Sequence, residues 1–310
     1  MQVALARREA ELTERTGRLS PVARVEAAWR RQSRVNADSP DLELCRLLAA
    51  RRGSVRVADK NGSGILCDPA RRYPAVCASS RGEKPDDEVM LTYAIFNGKL
   101  LTCRSTSGAH IDKIALLAYE AQILRGLTRQ DEKDGKAECD LVGLLGKSKV
   151  LLAIEGKAKH GGGTDLGYAV VEAWTYCNVL QYLACEQPRP FQDQIVDCLK
   201  KHHEGRFDGK PIRRWPRYDD QRHVAFGVIA PRQYYVDQLA RQEVVSHATS
   251  FLASHSEAFK GFFVLERAQV KDIVEPTDGG SRCEPKLRVG MSDVTLCGNW
   301  GELVHHLVKG

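Results

Sequence analysis

The chain is short of the features that would assign a protein at sight. Its longest purely aliphatic stretch, Val150–Ile154, falls far below the ~20 apolar residues that a spanning helix needs. None of its ten cysteines forms a CxxC pair, which argues against zinc ribbons, thioredoxin-like motifs and clustered iron–sulfur ligands. No charge of one sign dominates: 46 Lys and Arg face 40 Asp and Glu, a net +6 that permits a nucleic-acid partner without requiring one. There is no internal repeat and no low-complexity tract. With 43% hydrophobic and 28% charged residues the chain is neither disordered nor collagenous. The N-terminus turns charged at Arg7-Arg8-Glu9, before any signal-peptide apolar region develops. The expectation is a non-exported protein of the cytoplasm, nucleoid or nucleus, with no membrane partner. Its cysteines are expected as reduced thiols serving as small core hydrophobes.

What is present points to an α/β chain of 310 residues, long enough for one large domain or two smaller ones. Residues 1–52, rich in Arg and Ala, read as helices. From 54 to 103 the signals turn to β. Met90–Phe96 and Lys99–Cys103 flank Asn97-Gly98, a pair that supplies the positive φ angles of a hairpin turn. Apolar periodicity predicts a helix over 111–127. Two apolar strands follow, 137–145 and 149–157, with a tight turn at Gly146-Lys-Ser-Lys. A glycine-rich loop leads into a helix over 165–185. Residues 187–222 read as a polar, Pro-rich loop. A buried strand at 223–230, a helix over 232–253, a strand near 261–267, a turn-rich stretch and a short terminal helix complete the order.

The hairpin over 137–157 carries the chemistry. Strand side chains alternate, so Glu155 and Lys157 share one face while Val150, Leu152 and Ile154 point to the other. A turn centred between Lys147 and Ser148 sets Asp140 opposite Glu155. Cross-strand Cβ atoms stand about 5 Å apart, where like charges repel. Two acids there make physical sense around a divalent cation, with Lys157 as a third polar partner. The bare [D/E]-x-K pattern also occurs at Asp131, Asp134, Asp208 and Glu284, but only the copy at Glu155 ends a strongly apolar strand with an acid in register beside it. On the expected 111–127 helix, Glu120 falls inside the apolar arc of Leu116, Leu117 and Leu124. A carboxylate there costs several kcal/mol unless paired or coordinated, so it is a third candidate ligand.

Glu120 on a helix, Asp140 on a strand, and Glu155-Gly156-Lys157 on the next strand before another helix resemble the PD-(D/E)xK nuclease superfamily over about residues 105–250. Cys139 stands where that motif often has Pro, and the 165–185 helix lacks the Gln-x-x-x-Tyr of one branch. The resemblance implies a restriction-endonuclease-like core, a central mixed β-sheet flanked by helices, with accessory regions at 1–104 and 251–310. It implies a Mg2+-dependent endodeoxyribonuclease, with Mn2+ able to substitute and RNA left open as substrate. Asp140, Glu155, Glu120 and the Gly156 carbonyl would hold metal, and Lys157 would orient the attacking water. A homodimer or a partner protein fits the same reading.

Other signals are weaker. Lys159, His160 and the following glycines could approach a phosphate, and Arg213, Arg214 and Arg217 lie among Trp215 and Tyr218 in a pattern suited to nucleic acid. His160-Gly-Gly-Gly lacks a companion Gly-x-Ser-x-Gly, and Gly146-Lys-Ser lacks the first glycine of a P-loop. The pairs His202-His203 and His305-His306 are expected at the surface. Two rival functions stand beside the nuclease: a non-catalytic nucleic-acid-binding or assembly module, and an unrelated α/β enzyme with its site in the N-terminal β region.

Overall fold

The structure, a computed structural model, describes residues 66, 88–121, 139–146, 149–158, 166–186, 188–204, 206–207, 210–211, 224–266 and 293–309. Helix α1 (Glu88–Asn97) precedes strands β1 (Leu100–Arg104), β2 (His110–Ala121), β3 (Cys139–Leu145) and β4 (Leu151–Gly156). Helices α2 (Leu166–Glu186) and α3 (Pro188–His203) follow, then a two-residue ladder of β5 (Arg206–Phe207) with β6 (Lys210–Pro211). Next come β7 (Val224–Pro231), α4 (Arg232–Leu239), α5 (Gln242–His255), β8 (Phe259–Leu265), β9 (Asp293–Cys297) and α6 (Trp300–Lys309).

Seven strands close into a barrel in the order β1-β2-β3-β4-β7-β8-β9. From β1 to β4 the neighbours are antiparallel. The crossover through α2 and α3 then makes β7 parallel to β4, and the one through α4 and α5 makes β8 parallel to β7. The apolar run Val224–Pro231 is buried at every residue, as a strand covered on both faces requires. Strand β9 returns antiparallel to β8 and pairs in parallel with β1, Thr102 opposite Asp293 and Arg104 opposite Thr295. That last ladder overturns the expected restriction-endonuclease-like open central sheet. The sheet is mixed, but β9 arises in a stretch that reads as turns, and it ties the two edges together.

Two apolar clusters lie on the two faces of this sheet. One takes residues from all seven barrel strands, such as Leu101, Leu116, Leu141, Ile154, Ile229, Phe263 and Val294, together with Leu91, Tyr93, Ala94, Ile95 and Phe96 of α1. The other packs the opposite parity, such as Leu117, Val142, Leu151, Val228 and Phe262, under α2, α3, α4, α5 and α6. Glycines allow close approach in the second half of the barrel. Gly227 pairs with Gly261, and a Cβ on Gly227 would lie 2.6 Å from the Gly261 carbonyl oxygen.

Several local expectations change. Met90–Phe96 is helical, with no Asn97-Gly98 hairpin: the amide of Gly98 donates to the carbonyls of Ala94 and Ile95, closing the helix. Residues 110–121 form a strand where a helix was expected, its register shifting between Leu116 and Ala118. Residues 188–203 form an amphipathic helix within the expected loop, burying Phe191, Ile195, Cys198 and Leu199 at helical spacing. The 232–253 helix is broken at Ala240 and Arg241. His202 and His203 are half-buried: His202 sets its ring edge on Phe96 at 5.1 Å, and Nε2 of His203 lies 2.8 Å from the Leu116 carbonyl oxygen. Burial pushes the His202 imidazole down to about 4. Cys103, Cys139, Cys177 and Cys297 are buried free thiols, but Cys198 is disulfide-bonded, against the expectation of reduced cysteines throughout. Among the described residues no helix is long and apolar enough to cross a membrane. Residues 1–52 and the first part of the expected β stretch, 54–65 and 67–87, lie outside the described residues.

Candidate metal centre

The β3/β4 hairpin pairs Leu141 with Ile154, Val142 with Ala153, Gly143 with Leu152 and Leu144 with Leu151. Continued one residue, this register sets Asp140 opposite Glu155, the arrangement expected from a turn centred between Lys147 and Ser148. The amide of Gly156 donates to Asp140 Oδ2 at 2.9 Å, fixing that carboxylate across the strand ends. Beyond β4 the amide of Lys157 donates to the Ile229 carbonyl at 2.9 Å, so the backbone stays tied to β7 while the side chain turns to Glu155.

A third carboxylate comes from α1. Ligand oxygens of Glu88, Asp140 and Glu155 all lie within 4.8 Å of one another. Glu88 reaches them because α1 seats its next turn on Gly156: Thr92 Oγ1 bonds back to the Glu88 carbonyl at 2.8 Å, and the Thr92 methyl occupies the space a side chain at 156 would need.

Lys157 sits among these acids. Its Nζ lies 2.6 Å from Glu155 Oε1, 3.0 Å from Glu88 Oε1 and 3.8 Å from Oε2 of Glu172 on α2. Side-chain exposure rises from 3% at Glu155 and Lys157 to 12% at Glu172 and 28% at Glu88, so the cluster opens to solvent on the α1 side. Glu155 Oε2 is fully buried and has no hydrogen-bond partner among the described residues. A buried carboxylate oxygen left this way costs ~1–3 kcal/mol or more unless a cation or proton satisfies it.

The electrostatics follow from four acids around one base. Burial pushes Asp140 up to about 8; Lys157 pulls it down, and Glu88 and Glu172 push it further up. Burial also raises Glu155 well above the ordinary carboxylate range, helped by Asp140 and Glu172. Burial alone would lower Lys157, but Glu155, Glu172, Glu88 and Asp140 outweigh it and hold its ammonium charged. A convergent all-oxygen donor set with an excess of negative charge and an unsatisfied buried oxygen fits a hard divalent cation such as Mg2+ or Mn2+.

Asp140, Glu155, Gly156 and Lys157 are therefore brought together. Glu120 is not in the cluster. It lies near the end of β2 instead of on a helix, at φ +43°, and its Oε1 accepts a 2.9 Å hydrogen bond from Tyr119. Lys159, His160, Arg213, Arg214 and Arg217 lie outside the described residues. Sequence reasoning missed Glu88 and Glu172. Glu88 closes the acidic triplet Asp86-Asp87-Glu88 just before an apolar run, a composition typical of a helix start. Glu172 is the lone acid within the apolar stretch 166–180, with Tyr168 and Tyr176 four residues to either side.

Compared with protein-family models, curated proteins and solved structures, the chain finds no match.

Proposed function

We propose that the protein is a divalent-metal-dependent nuclease hydrolysing phosphodiester bonds in DNA, within the cytoplasm, nucleoid or nucleus. The observation that carries the reading is the convergence of Glu88, Asp140 and Glu155 beside a buried lysine, with Glu155 Oε2 unsatisfied. Those three carboxylates would hold Mg2+. The ion would polarise a phosphate and lower the pKa of a water near it. The chain's own groups do the rest. Lys157, kept cationic by its acidic neighbours, would orient a water and offset charge growing on the phosphate. The Gly156 amide holds Asp140 in place, and the burial of Glu155 and Lys157 keeps bulk water from screening them.

The resemblance to PD-(D/E)xK nucleases supports this reading through the motif residues alone, with Glu88 in the place expected of Glu120. A second reading, nucleic-acid binding or assembly without cleavage, draws on one contact: the 2.6 Å Lys157–Glu155 pair already neutralises part of the cluster as an internal ion pair would. Plasmid cleavage with Mg2+ or Mn2+ separates the two. Nicking or linearisation is expected from the natural protein and not from Glu155→Gln or Lys157→Met. Activity that survives both substitutions and EDTA rules the nuclease reading out; salt-sensitive DNA binding without cleavage favours the second.

A further inference from the structure

We propose that the Lys157 ammonium is a built-in competitor for the divalent ion, and that Glu172 is a positioning residue that receives it when the ion binds. The proposal rests on the metal-centre reading above and adds the fate of the lysine.

Nζ of Lys157 already binds Oε1 of Glu155 and Oε1 of Glu88, two of the three carboxylates that converge. An entering cation draws on the same carboxylates and repels the ammonium. Lys157 cannot answer by swinging into water, because its side chain is 3% exposed. It needs a carboxylate that is close, not yet bonded to it and outside the converging set. Glu172 meets that description. Its Oε2 stands 3.8 Å from Nζ, inside ion-pair range but beyond hydrogen-bonding distance. Its Oε1 accepts from the hydroxyls of Tyr168 at 3.4 Å and Tyr176 at 3.3 Å, one turn to either side on α2. These bonds hold one oxygen and leave the other turned toward the lysine. Nζ also lies 5.9 Å over the Tyr168 ring, so an aromatic face flanks the short move. The handover would leave Glu88 and Glu155 to the metal and keep a cation beside them, held by Glu172.

Mn2+ titration of the full chain tests this without relying on turnover. Lys157→Met removes the competitor and is expected to tighten Mn2+ binding. Glu172→Gln is expected to weaken it about tenfold while Lys157 is present, and at least threefold less in the Lys157→Met background. Equal losses in both backgrounds overturn the handover, because Glu172 would then act on the ion directly. Where Lys157→Met does not fold, a structure of the natural protein with Mn2+ decides. Nζ within about 3.2 Å of Glu172 and clear of Glu155 supports the proposal, and Nζ still on Glu155 overturns it. Should Glu88→Gln and Glu155→Gln leave Mn2+ affinity unchanged, the metal centre itself is refuted, and the handover with it.

Discussion

The methyl of Thr92 stands where a side chain on Gly156 would have to go: a Cβ built at 156 would lie 2.1 Å from Thr92 Cγ2. The glycine between Glu155 and Lys157 is thus the seat of α1, and α1 carries Glu88. Gly156→Ala should push the helix off the strand ends, costing about 1–3 kcal/mol by overpacking and lowering Mn2+ affinity at least tenfold. Thr92→Ser, which deletes only the clashing methyl, should restore most of both losses, since the next contacts are at 3.4 and 3.6 Å. Thermal melts and Mn2+ titration of the single and double variants check it; a double variant no better than Gly156→Ala would show that the seat is not the cause.

Glu88 and Glu120 give opposite expectations. Glu88→Gln should weaken Mn2+ binding about tenfold or more, because one of three converging carboxylates is lost. Glu120→Gln should change it less than about twofold, because that side chain is bonded to Tyr119 outside the cluster. Isothermal titration of the two variants is sufficient, and a loss confined to Glu120→Gln would reverse the assignment.

Stability should depend on pH in a direction unusual for acidic groups. Asp140 is raised to about 8 in the folded chain from an ordinary 3.8, and Glu155 is raised too. The folded state therefore binds more protons than the unfolded chain between about pH 4 and 8. The stability conferred by the neutral forms is fully present below about pH 4 and is lost as pH rises through 8, by up to ~1.4 kcal/mol per pH unit for each proton in excess. In EDTA, the melting temperature of the natural protein should decline more steeply over this range than that of Asp140→Asn. Mg2+ should recover more at pH 8 than at pH 6, because the ion competes with those protons. Parallel melting curves for the two proteins would refute the assignment to Asp140.

The β7/β8 seam offers a test of the barrel itself. Gly227→Ala brings a methyl to 2.6 Å from the Gly261 carbonyl oxygen and 2.6 Å from the Phe263 ring. Neither backbone nor buried ring has room to yield, so a loss of roughly 2–3 kcal/mol is expected in urea unfolding. An unchanged midpoint would mean that the two strands do not approach as closely as described.

The hairpin was the most legible part of the chain. The tight turn expected at Gly146-Lys-Ser-Lys between two apolar runs predicts the register, and with it the meeting of Asp140 and Glu155. Helix α1 was not legible, because Leu91–Phe96 are buried on every side and such a run has no helical period to read. Asn97-Gly98 fits a hairpin turn and a helix end equally well. In β2 the residues of His110–Ala121 satisfy both periods, and the register shift after Leu116 breaks the alternation that would have marked a strand. Pro188 and Pro190 argued for a loop, yet both stand in the first turn of α3, where a missing amide costs nothing. Barrel closure needs Asp293–Cys297 to find Leu100–Arg104, a pairing no local pattern announces.

That same ladder has a consequence for how the chain is made. Every group of the proposed centre except Glu172 lies between residues 88 and 157, so the centre is synthesised before β8 and β9. The strand that joins β8 to β1 emerges only after residue 293. During elongation β1 and β8 are open edges, each presenting unpaired amides and carbonyls to any neighbouring strand. Pairing at so long a separation is slow, which leaves a window for aggregation that the last fifteen or so residues to enter the barrel and α6 bring to a close.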